Sequence, residues 1–413
     1  MATYTCEPPS HGTCRVPPRI EPLAIAAMSA TSALGHGLAA HLDALRDGRG
    51  GLKPNDFSSA HLECRIGRVV GVEAITLPAA LGHWDCRNNR LAWLGLQQDG
   101  LPDAVAASVA RYGATRVALV LGTSTTSIGS TEDAYRRLDH GRFPSDLQRP
   151  EIHTPHSLTA FVADATGIAG PALTISTACS SSAKVFASAE RLMRLGLADA
   201  ALVGGVDTLC DSVLFGFHSL ELVSPNGCRP FDTRRDGISI GEAAGFALLE
   251  RATAAPHAPR LLGHGESSDA HHMSTPHPEG RGALSALDDA LARAGIGAEA
   301  VDYINLHGTA TLKNDEVEAK LLPRFPARTR ASSTKGFTGH TLGAAGALEA
   351  VIALLAIEHG IVPPNLGCSE PMPEASPWLA LQPAERRIDV ALSNSFGFGG
   401  NNACLVFGRG DPA

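Results

Sequence analysis

One cysteine in the chain has the residue type and the context of a nucleophile. Cys179 follows the strand-like run 172–176 and precedes a helix-like run that begins at Ala183. A side chain at a strand-to-helix turn stands above the sheet, beside helix N–H groups that have no intrahelical partner. The helix dipole lowers the pKa of a thiol there, and the N–H groups can hold an oxyanion. A small buried hydrophobe is the commoner role of a free cysteine and remains the alternative.

Two later histidines strengthen the prediction of an acyl-transfer site. His307 ends a strand-like run, and His340 lies in a glycine-bounded loop that also carries Lys335. Sites in α/β folds form at such strand and loop ends. Glu349 interrupts an otherwise apolar helix, and a buried carboxylate needs a partner, for which Lys335 or His340 is the candidate. A partly exposed helix face would explain Glu349 equally well.

Alternating strands and helices must position these residues. Strand, sharp turn, helix and strand around Cys179 indicate a layered α/β domain, and a second half similar in style would suit a duplicated fold. The loop 122–130 (GTSTTSIGS), which is rich in Thr and Ser, follows the predicted strand 116–121. Predicted strands are 23–28, 116–121, 172–176, 200–206, 301–306, 331–334, 390–393 and 403–407. Predicted helices are 37–46, 89–97, 102–111, one from 183 to before Gly196, 281–294 and one ending near 359.

Composition excludes several classes of protein. The chain has 413 residues, 34 basic and 42 acidic side chains and a net charge of −8, which argues against broad nucleic-acid binding. No apolar run reaches the ~18 residues of a membrane span, and the polar segment 1–18 has no signal-peptide core. Nine cysteines without a C-x-x-C pair predict reduced thiols in the cytoplasm and no zinc site.

Several stretches together resemble the elongating β-ketoacyl-acyl carrier protein synthases of the thiolase-like condensing-enzyme superfamily. They are TACSSS (177–182), HGTAT (307–311), KGFTGHTLGAAG (335–346) and NSFGFGGNN (394–402), with RPFD (229–232), DGISIGEAAG (236–245) and SSDAHHM (267–273) in support. The resemblance implies an α/β, five-layered αβαβα fold of two similar halves. We expect a flexible tail over 1–20, a half carrying the cysteine over 21–265, and a half carrying both histidines and a glycine-rich gating loop over 266–413.

The resemblance also implies a role for each matching residue. Cys179 would take the acyl group, while His307 and His340 would bind the malonyl thioester carbonyl and support decarboxylation. Lys335 and Glu349 would form the supporting charge network. The remaining roles are phosphopantetheine binding by Thr309 and Thr311, gating by Phe396, Phe398 and Gly399, and an oxyanion hole formed by the backbone N–H groups of Cys179 and Phe398.

These roles imply a 3-oxoacyl-[acyl-carrier-protein] synthase that elongates a fatty-acid, polyketide or polyene chain. The second histidine favours a malonyl-using elongating enzyme, because chain-starting relatives resemble a Cys-His-Asn pattern and thiolases a Cys-His-Cys pattern. The residues around 85–92 and 210–222 are similar to synthases of aryl-polyene pigments, and loop 122–130 is expected to line the acyl pocket. A chain-length-determining partner subunit and a Cys-His thioester hydrolase remain alternatives.

The expected partners are acyl carrier protein and a second subunit, either an identical chain or a chain-length factor. The phosphopantetheine arm would carry the substrate, with no permanently bound cofactor and no metal. Carrier proteins are acidic, so Arg65, Arg68, Arg87 and Arg90 are candidates for a basic docking patch. Ordinary solvated charges would explain any single one of these arginines equally well. No nucleic acid is expected as a partner.

Overall fold

The computed structural model describes residues 17–58 and 60–411, which alternate between strands and helices. The strands are β1 (Leu23–Ser32), β2 (Gly35–His36), β3 (Lys53–Pro54), β4 (Arg65–Ile66), β5 (Val117–Gly122), β6 (Ala172–Ile175), β7 (Ala200–Asp207), β8 (Ala243–Arg251), β9 (Arg260–Ser268), β10 (Tyr303–Asn305), β11 (Arg330–Ser332), β12 (Ile361–Val362), β13 (Ala384–Glu385), β14 (Val390–Gly397) and β15 (Asn401–Gly408). The helices are α1 (Gly37–Asp47), α2 (Arg87–Leu96), α3 (Leu101–Tyr112), α4 (Ile128–Arg136), α5 (Ser157–Thr166), α6 (Ser181–Arg194), α7 (Asp211–Ser219), α8 (Arg281–Ala294), α9 (Leu312–Ala319), α10 (Lys335–Thr338) and α11 (Ala345–His359).

The main sheet consists of two half-sheets with the same topology. In the first, the order is β6-β5-β7-β8-β1, and in the second it is β11-β10-β14-β15-β9. Numbered along the chain within each half, both orders read 3-2-4-5-1. In both, the first three strands in the order are parallel and the last two add antiparallel. The half-sheets meet through the short β1–β9 pairing at Leu23 and Ala24. This repeated pattern establishes the duplicated architecture that the sequence predicted.

Helices fill the layers on and between the half-sheets. Helices α6 and α11 contact each other and strands of both halves, so they form the central layer. Helices α2, α3 and α5 cover the outside of the first half-sheet, and α8 packs on β9 and β15 of the second. The expected five-layered αβαβα thiolase-like fold is therefore confirmed. The predicted division between 265 and 266 falls inside β9, which pairs within the second half-sheet; a division before Arg260 would keep that strand whole.

Helix α11 is apolar on all sides because it lies in this central layer. The segment Leu342–His359 is long and apolar enough to cross a membrane, but 89% of it is buried inside the protein. A helix that is hydrophobic all round is typical of a protein core as well as of a membrane. Its burial identifies it as a core helix.

Three expectations about local structure need correction. Most of the predicted tail, residues 1–16, lies outside the described residues, but Ile20 is buried and its N–H donates to Arg293 O at 3.0 Å. The predicted loop 122–130 ends early, because α4 begins at Ile128. The segment that carries Lys335 is not an open loop but the short helical turn α10, with all four residues buried.

Candidate active site

Cys179 lies at a strained turn between β6 and α6. Ala178 has a φ of 53°, which is uncommon for a residue with a Cβ, and α6 begins two residues after Cys179. The Ser181 hydroxyl accepts the Thr177 N–H at 2.8 Å and fixes the turn. Strain of this kind is held at functional sites by the surrounding structure. The turn places the thiol at the end of the cavity described below, with 6% of the residue exposed.

The prediction that the helix dipole lowers the Cys179 pKa is wrong in direction. Burial raises the pKa of the thiol to about 11. The positive charge of Lys335 and a hydrogen bond from the Phe398 backbone N–H offset only part of this increase. Desolvation penalises the thiolate more than the nearby donors stabilise it. Cys179 is therefore a protonated thiol near neutral pH.

His340 presents an N–H group to the cysteine sulfur. The distance from His340 Nε2 to Cys179 Sγ is 3.0 Å. The Leu342 N–H donates to His340 Nδ1 at 3.2 Å, so Nδ1 holds the lone pair and the proton of the neutral ring sits on Nε2. Burial, and then the charge of Lys335, hold the pKa of His340 well below its usual value. The ring is neutral and acts as a donor beside Sγ.

His307 faces His340 across the same space. The two rings lie 5.4 Å apart between centroids and nearly perpendicular. Lys335 Nζ lies 3.4 Å from His307 Nδ1 and donates to the His307 carbonyl oxygen at 2.5 Å. Burial, then Lys335 and His340, hold the pKa of His307 well below its usual value. Because Nδ1 faces an ammonium, the ring proton belongs on Nε2, as in His340.

Glu349 is the counter-ion of Lys335, which excludes a solvent-exposed helix face for this residue. Glu349 Oε1 and Lys335 Nζ are 2.5 Å apart, and both side chains are buried. Burial raises the pKa of Glu349, and the charge of Lys335 works in the opposite direction. A paired carboxylate keeps the ammonium charged in a site where an unpaired one would be costly.

Glu318 is a buried residue of the site that sequence reasoning missed. Its carboxyl group accepts the backbone N–H groups of His307 and Gly308 at 2.8 and 2.7 Å, and the Asn394 side chain at 3.1 Å. Burial raises its pKa to about 7, against the lowering effect of these hydrogen bonds. Glu318 therefore fixes the turn that aims His307. Its place on α9, within a short charged segment, gave no signal that it was buried.

The predicted gate lies against the cysteine and the histidines. Phe396 is buried, with its ring 6.0 Å from that of His307, and Phe398 packs 5.7 Å from the ring of Phe217, a contact the sequence did not reveal. Gly399 has a φ of 74°, and its N–H donates to the Met273 carbonyl at 2.7 Å. The gate segment is thus held both by ring contacts of its phenylalanines and by a backbone hydrogen bond to a neighbouring loop.

A cavity of about 440 Å³ ends at Cys179, His307 and His340. Thr309 and Thr311 line it, with their hydroxyls 2.9 Å apart, where the sequence predicted contacts to a carrier arm. Wall residues that the sequence analysis did not assign include Phe217, Leu220, Leu222, Ile238, Asp269 and Lys313. The lining includes both the exposed Leu312 and the buried Cys179, so the cavity joins the protein surface to the thiol.

Loop 122–130 does not line this cavity, and its expected place in an acyl pocket stays a prediction. Its first hydroxyls, those of Thr123, Ser124 and Thr125, instead donate to the buried carboxylate of Asp207. The Thr and Ser content of the loop therefore serves an internal anion. It gives no information about the polarity of an acyl chain.

The four arginines of the predicted docking patch are engaged within the chain. Arg87 pairs with the buried Glu242 at 2.6 Å, and Arg90 binds Asp85 through two bonds of 2.6 Å. Arg68 pairs with Glu73 at 2.7 Å, and Arg65 donates to the Leu52 carbonyl. None of the four lines the cavity. These contacts show that each arginine already has a partner within the chain, and a role in carrier docking stays a prediction.

Cys179, His307 and His340 also form a possible metal-ligand set. The sulfur and one nitrogen from each ring all lie within 4.8 Å of one another. One thiolate and two imidazoles are ligands that Zn²⁺ accepts. The nearby ammonium of Lys335 disfavours a dication, and a metal would occupy the sulfur that acyl transfer needs. Acylation of the thiol and metal binding are therefore mutually exclusive uses of the same atoms.

A family model described as "Beta-ketoacyl synthase, N-terminal domain" matches residues 89–255. A second, "Beta-ketoacyl synthase, C-terminal domain", matches residues 259–369. The two matches include every residue of the cysteine–histidine site together with Lys335 and Glu349.

Two curated relatives and one solved structure illustrate the similarity. The 3-oxoacyl-[acyl-carrier-protein] synthase 2 of Rhizobium meliloti is 41% identical over 258 residues, which cover 58% of this chain and 61% of the relative. The protein of the same name from Synechocystis sp. is 31% identical over 407 residues, 93% of this chain and 97% of the relative. The ketosynthase ApeO of Xenorhabdus doucetiae, solved in complex with its chain length factor ApeC, has a TM-score of 0.85 and 38% identity, covering 94% of this chain and 98% of that one.

Proposed function

The chain belongs to the β-ketoacyl synthase family, and on that premise we propose that it elongates a carrier-bound acyl chain by decarboxylative condensation with malonyl-carrier protein. The observation that carries the proposal is the convergence of one thiol and two neutral imidazoles at the inner end of a single cavity. A Cys-His hydrolase needs one histidine as a base. Here burial, and then the charge of Lys335, hold the pKa of each histidine low, so both rings are neutral. The Leu342 N–H donates to Nδ1 of His340, so His340 acts as a donor through Nε2. Nδ1 of His307 faces Lys335, so His307 does the same.

The first step transfers the acyl group to Cys179. The sulfur attacks the acyl-carrier thioester carbon, and the carrier thiol leaves with the proton that Cys179 gives up. The tetrahedral oxyanion lies against the N–H groups of Cys179 and Phe398; the latter already points at Sγ in the free protein. Donors fixed before the reaction stabilise this charge without reorganisation.

The second step generates a carbon nucleophile. Malonyl-carrier protein places its thioester oxygen between the Nε2–H groups of His307 and His340, and the C–CO₂⁻ bond breaks to give CO₂ and an enolate. Burial and then the charge of Lys335 hold the pKa of each ring low, so both rings stay neutral. Lys335 also contacts His307, and Glu349 balances its charge. In the third step the enolate carbon attacks the acyl-Cys179 carbonyl. The product is 3-oxoacyl-carrier protein, and the cysteine sulfur leaves and regains a proton.

We assign the substrate arm, the partner subunit and the compartment as part of the same proposal. Thr309 and Thr311 border the cavity where a phosphopantetheine arm would run. The similarity to a ketosynthase solved with its chain length factor supports a catalytic role beside such a subunit. A polyene-type acyl chain stays a prediction. The described cysteines are free thiols, which suits the cytoplasm.

The test combines intact-protein mass spectrometry with product analysis. The chain, alone and with a chain-length-factor partner, is incubated with malonyl-carrier protein and a panel of saturated and polyenoyl carriers. We expect an acyl mass shift on the chain, its loss in Cys179→Ala, its retention in the matched control Cys404→Ala, and a two-carbon-longer 3-oxo product. Release of free acid without extension would indicate a hydrolase. Absence of any acyl shift, with and without the partner, would contradict the proposal.

A further inference from the structure

The segment 123–125, which takes no part in the proposed reaction, encloses a buried carboxylate close to the site. Strands β5 and β7 are parallel neighbours, so residues that follow β5 lie beside the end of β7. Asp207 ends β7 and is fully buried. No ion pair of Asp207 is found among the described residues. Its charge is instead surrounded by donors from a single short stretch of chain.

These donors saturate the carboxylate. Asp207 Oδ1 accepts the Thr123 hydroxyl, the Thr125 hydroxyl and the Thr125 N–H, each at 2.7 Å. The Ser124 N–H reaches both oxygens, and the Ser124 hydroxyl donates to Oδ2 at 2.9 Å. Hydrogen bonds to a charged acceptor are the stronger kind. The carboxylate therefore dictates the direction in which each of these hydroxyl protons points.

Ser124 passes this orientation to the histidine loop. With its proton committed to Asp207, the Ser124 oxygen accepts the Gly343 N–H at 3.2 Å. A Cβ on Gly343 would stand 2.6 Å from Asp207 Oδ2 and 2.8 Å from Ser124 N, so the backbone approaches as closely as glycine permits. The preceding residue, Leu342, has a φ of 55° and donates its N–H to His340 Nδ1.

We propose that Asp207 and Ser124 are positioning residues for His340. They hold the Leu342–Gly343 turn so that Leu342 N–H meets Nδ1 and the His340 proton remains on Nε2, facing the reacting thioester. The inference rests on the proposed condensation for its kinetic consequence, but the tautomer of His340 is measurable in the free protein. Burial raises the pKa of Asp207 and the surrounding donors lower it, so the group depends on these hydrogen bonds to carry its charge.

The decisive variant is Ser124→Ala, which removes the acceptor of Gly343 N–H and leaves the backbone donors of Asp207 in place. We expect single-turnover condensation from preformed acyl-enzyme to fall on the order of tenfold, the equivalent of one lost hydrogen bond. Acylation of Cys179 should stay within about twofold, since it uses the donors at Cys179 and Phe398. Ser124→Thr keeps the hydroxyl and should restore condensation. Thr166→Ala, which removes a hydroxyl that donates to Val162 O, is the matched control.

Asp207→Asn tests the charge. It should lower condensation further than Ser124→Ala does, because the amide no longer directs all three hydroxyls. Since this variant can also fail to fold, the second readout uses Ser124→Ala alone: ¹⁵N spectra of histidine-labelled protein, with His340 identified by its loss in His340→Ala. The expected signature is loss of the pure Nε2–H tautomer at His340, while the His307 signals stay unchanged.

Three results would overturn the inference. They are an equal loss of acylation and condensation in Ser124→Ala, no loss in either, or a reduced rate with the His340 tautomer intact. The two proposals fail separately. If the unmodified chain does not acylate Cys179, the proposed function is wrong, whereas the tautomer comparison between unmodified protein and Ser124→Ala still decides the role of Asp207 and Ser124.

Discussion

The two half-sheets have the same strand order, yet the residues that follow equivalent strands are of opposite character. In the first half, Thr123 follows β5 and Asp207 ends β7, and their polar atoms satisfy one another. In the second half, β10 is the equivalent of β5 and leads to His307, and β14 is the equivalent of β7 and leads to Phe396 and Phe398. All three of these side chains line the cavity. After these two strands, the first half encloses a carboxylate with hydrogen-bond donors, whereas the second half presents side chains to the cavity.

Buried polar atoms without a hydrogen-bond partner occur in both halves of the described chain, and the first half has Thr31 Oγ1, Asn88 Oδ1 and Ser108 Oγ among them. Four others lie on β14 or α11. Glu349 Oε2, Asn394 Oδ1, Ser393 Oγ and Ser395 Oγ are buried without a hydrogen-bond partner among the described residues. All belong to elements of the second half or to α11 beneath it. Buried polar atoms are normally paired, and exceptions concentrate where a site must respond to a ligand. Both halves contribute to the site: the first carries Cys179 after β6, and the second carries His307, His340 and the gate.

The largest effect should come from breaking the buried ion pair between Lys335 and Glu349. Lys335→Met leaves the carboxylate of Glu349 buried without its partner, a change that typically costs about 3 to 5 kcal/mol of unfolding free energy. Condensation should be lost as well, because His307 Nδ1 loses the ammonium that faces it. Chemical denaturation and single-turnover condensation measure the two effects.

The double variant Lys335→Met with Glu349→Gln separates them. Removing both charges should recover most of the stability but not the condensation rate. Recovery of both would reduce the pair to a purely structural role. A single variant as stable as the unmodified protein would contradict the geometry of the buried pair.

A smaller effect is expected from the carboxyl group of Glu318, which supports the turn at His307. Its pKa is about 7 in the folded protein and ordinary when unfolded, so the folded state binds its proton more tightly. Its contribution is therefore complete below about pH 4.5 and is lost as pH rises through about 7, on the order of 3 kcal/mol in all. The difference in unfolding free energy between unmodified protein and Glu318→Gln should shrink by about that amount from pH 5 to pH 8. A difference that is constant with pH would show that Glu318 is ionised in both states.

The sequence predicted the residues that react better than the residues that hold them in place. Cys179, His307, His340 and Lys335 stand in distinctive stretches at strand ends, so their convergence was predictable from strand order and family resemblance. The direction of the Cys179 pKa was not, because a one-dimensional pattern shows the helix N-terminus but not the depth of burial that outweighs it.

The supporting residues were missed for a related reason. Asp207 and Glu318 are ordinary acidic residues along the chain, and their importance comes from tertiary contacts with residues 123–125 and with the turn at His307. Arg87 and Arg90 also have partners that the sequence did not reveal, Glu242 and Asp85, while their role in carrier docking stays a prediction. Charge patterns predict partners only when the folded environment leaves the charges free.

A substitution in the gate segment should have the smallest effect on stability, so its effect on turnover is the easiest to separate from folding. Gly399 has a φ of 74° and an almost open space where a Cβ would stand, with Asn401 Nδ2 at 3.3 Å as the nearest contact. Gly399→Val therefore meets backbone strain rather than a packed wall, which costs on the order of 1 to 2 kcal/mol for a residue with a Cβ. Because that strain falls on the segment that carries Phe398, we expect turnover and entry of the acyl carrier to fall more than the melting temperature does. Gly167→Val is the control, because Gly167 has nearly the same backbone angles, φ 71° and ψ 12°, has open space where a Cβ would stand, and does not line the cavity. If the two variants lose stability equally and Gly399→Val retains normal turnover, Gly399 serves the fold and not the gate.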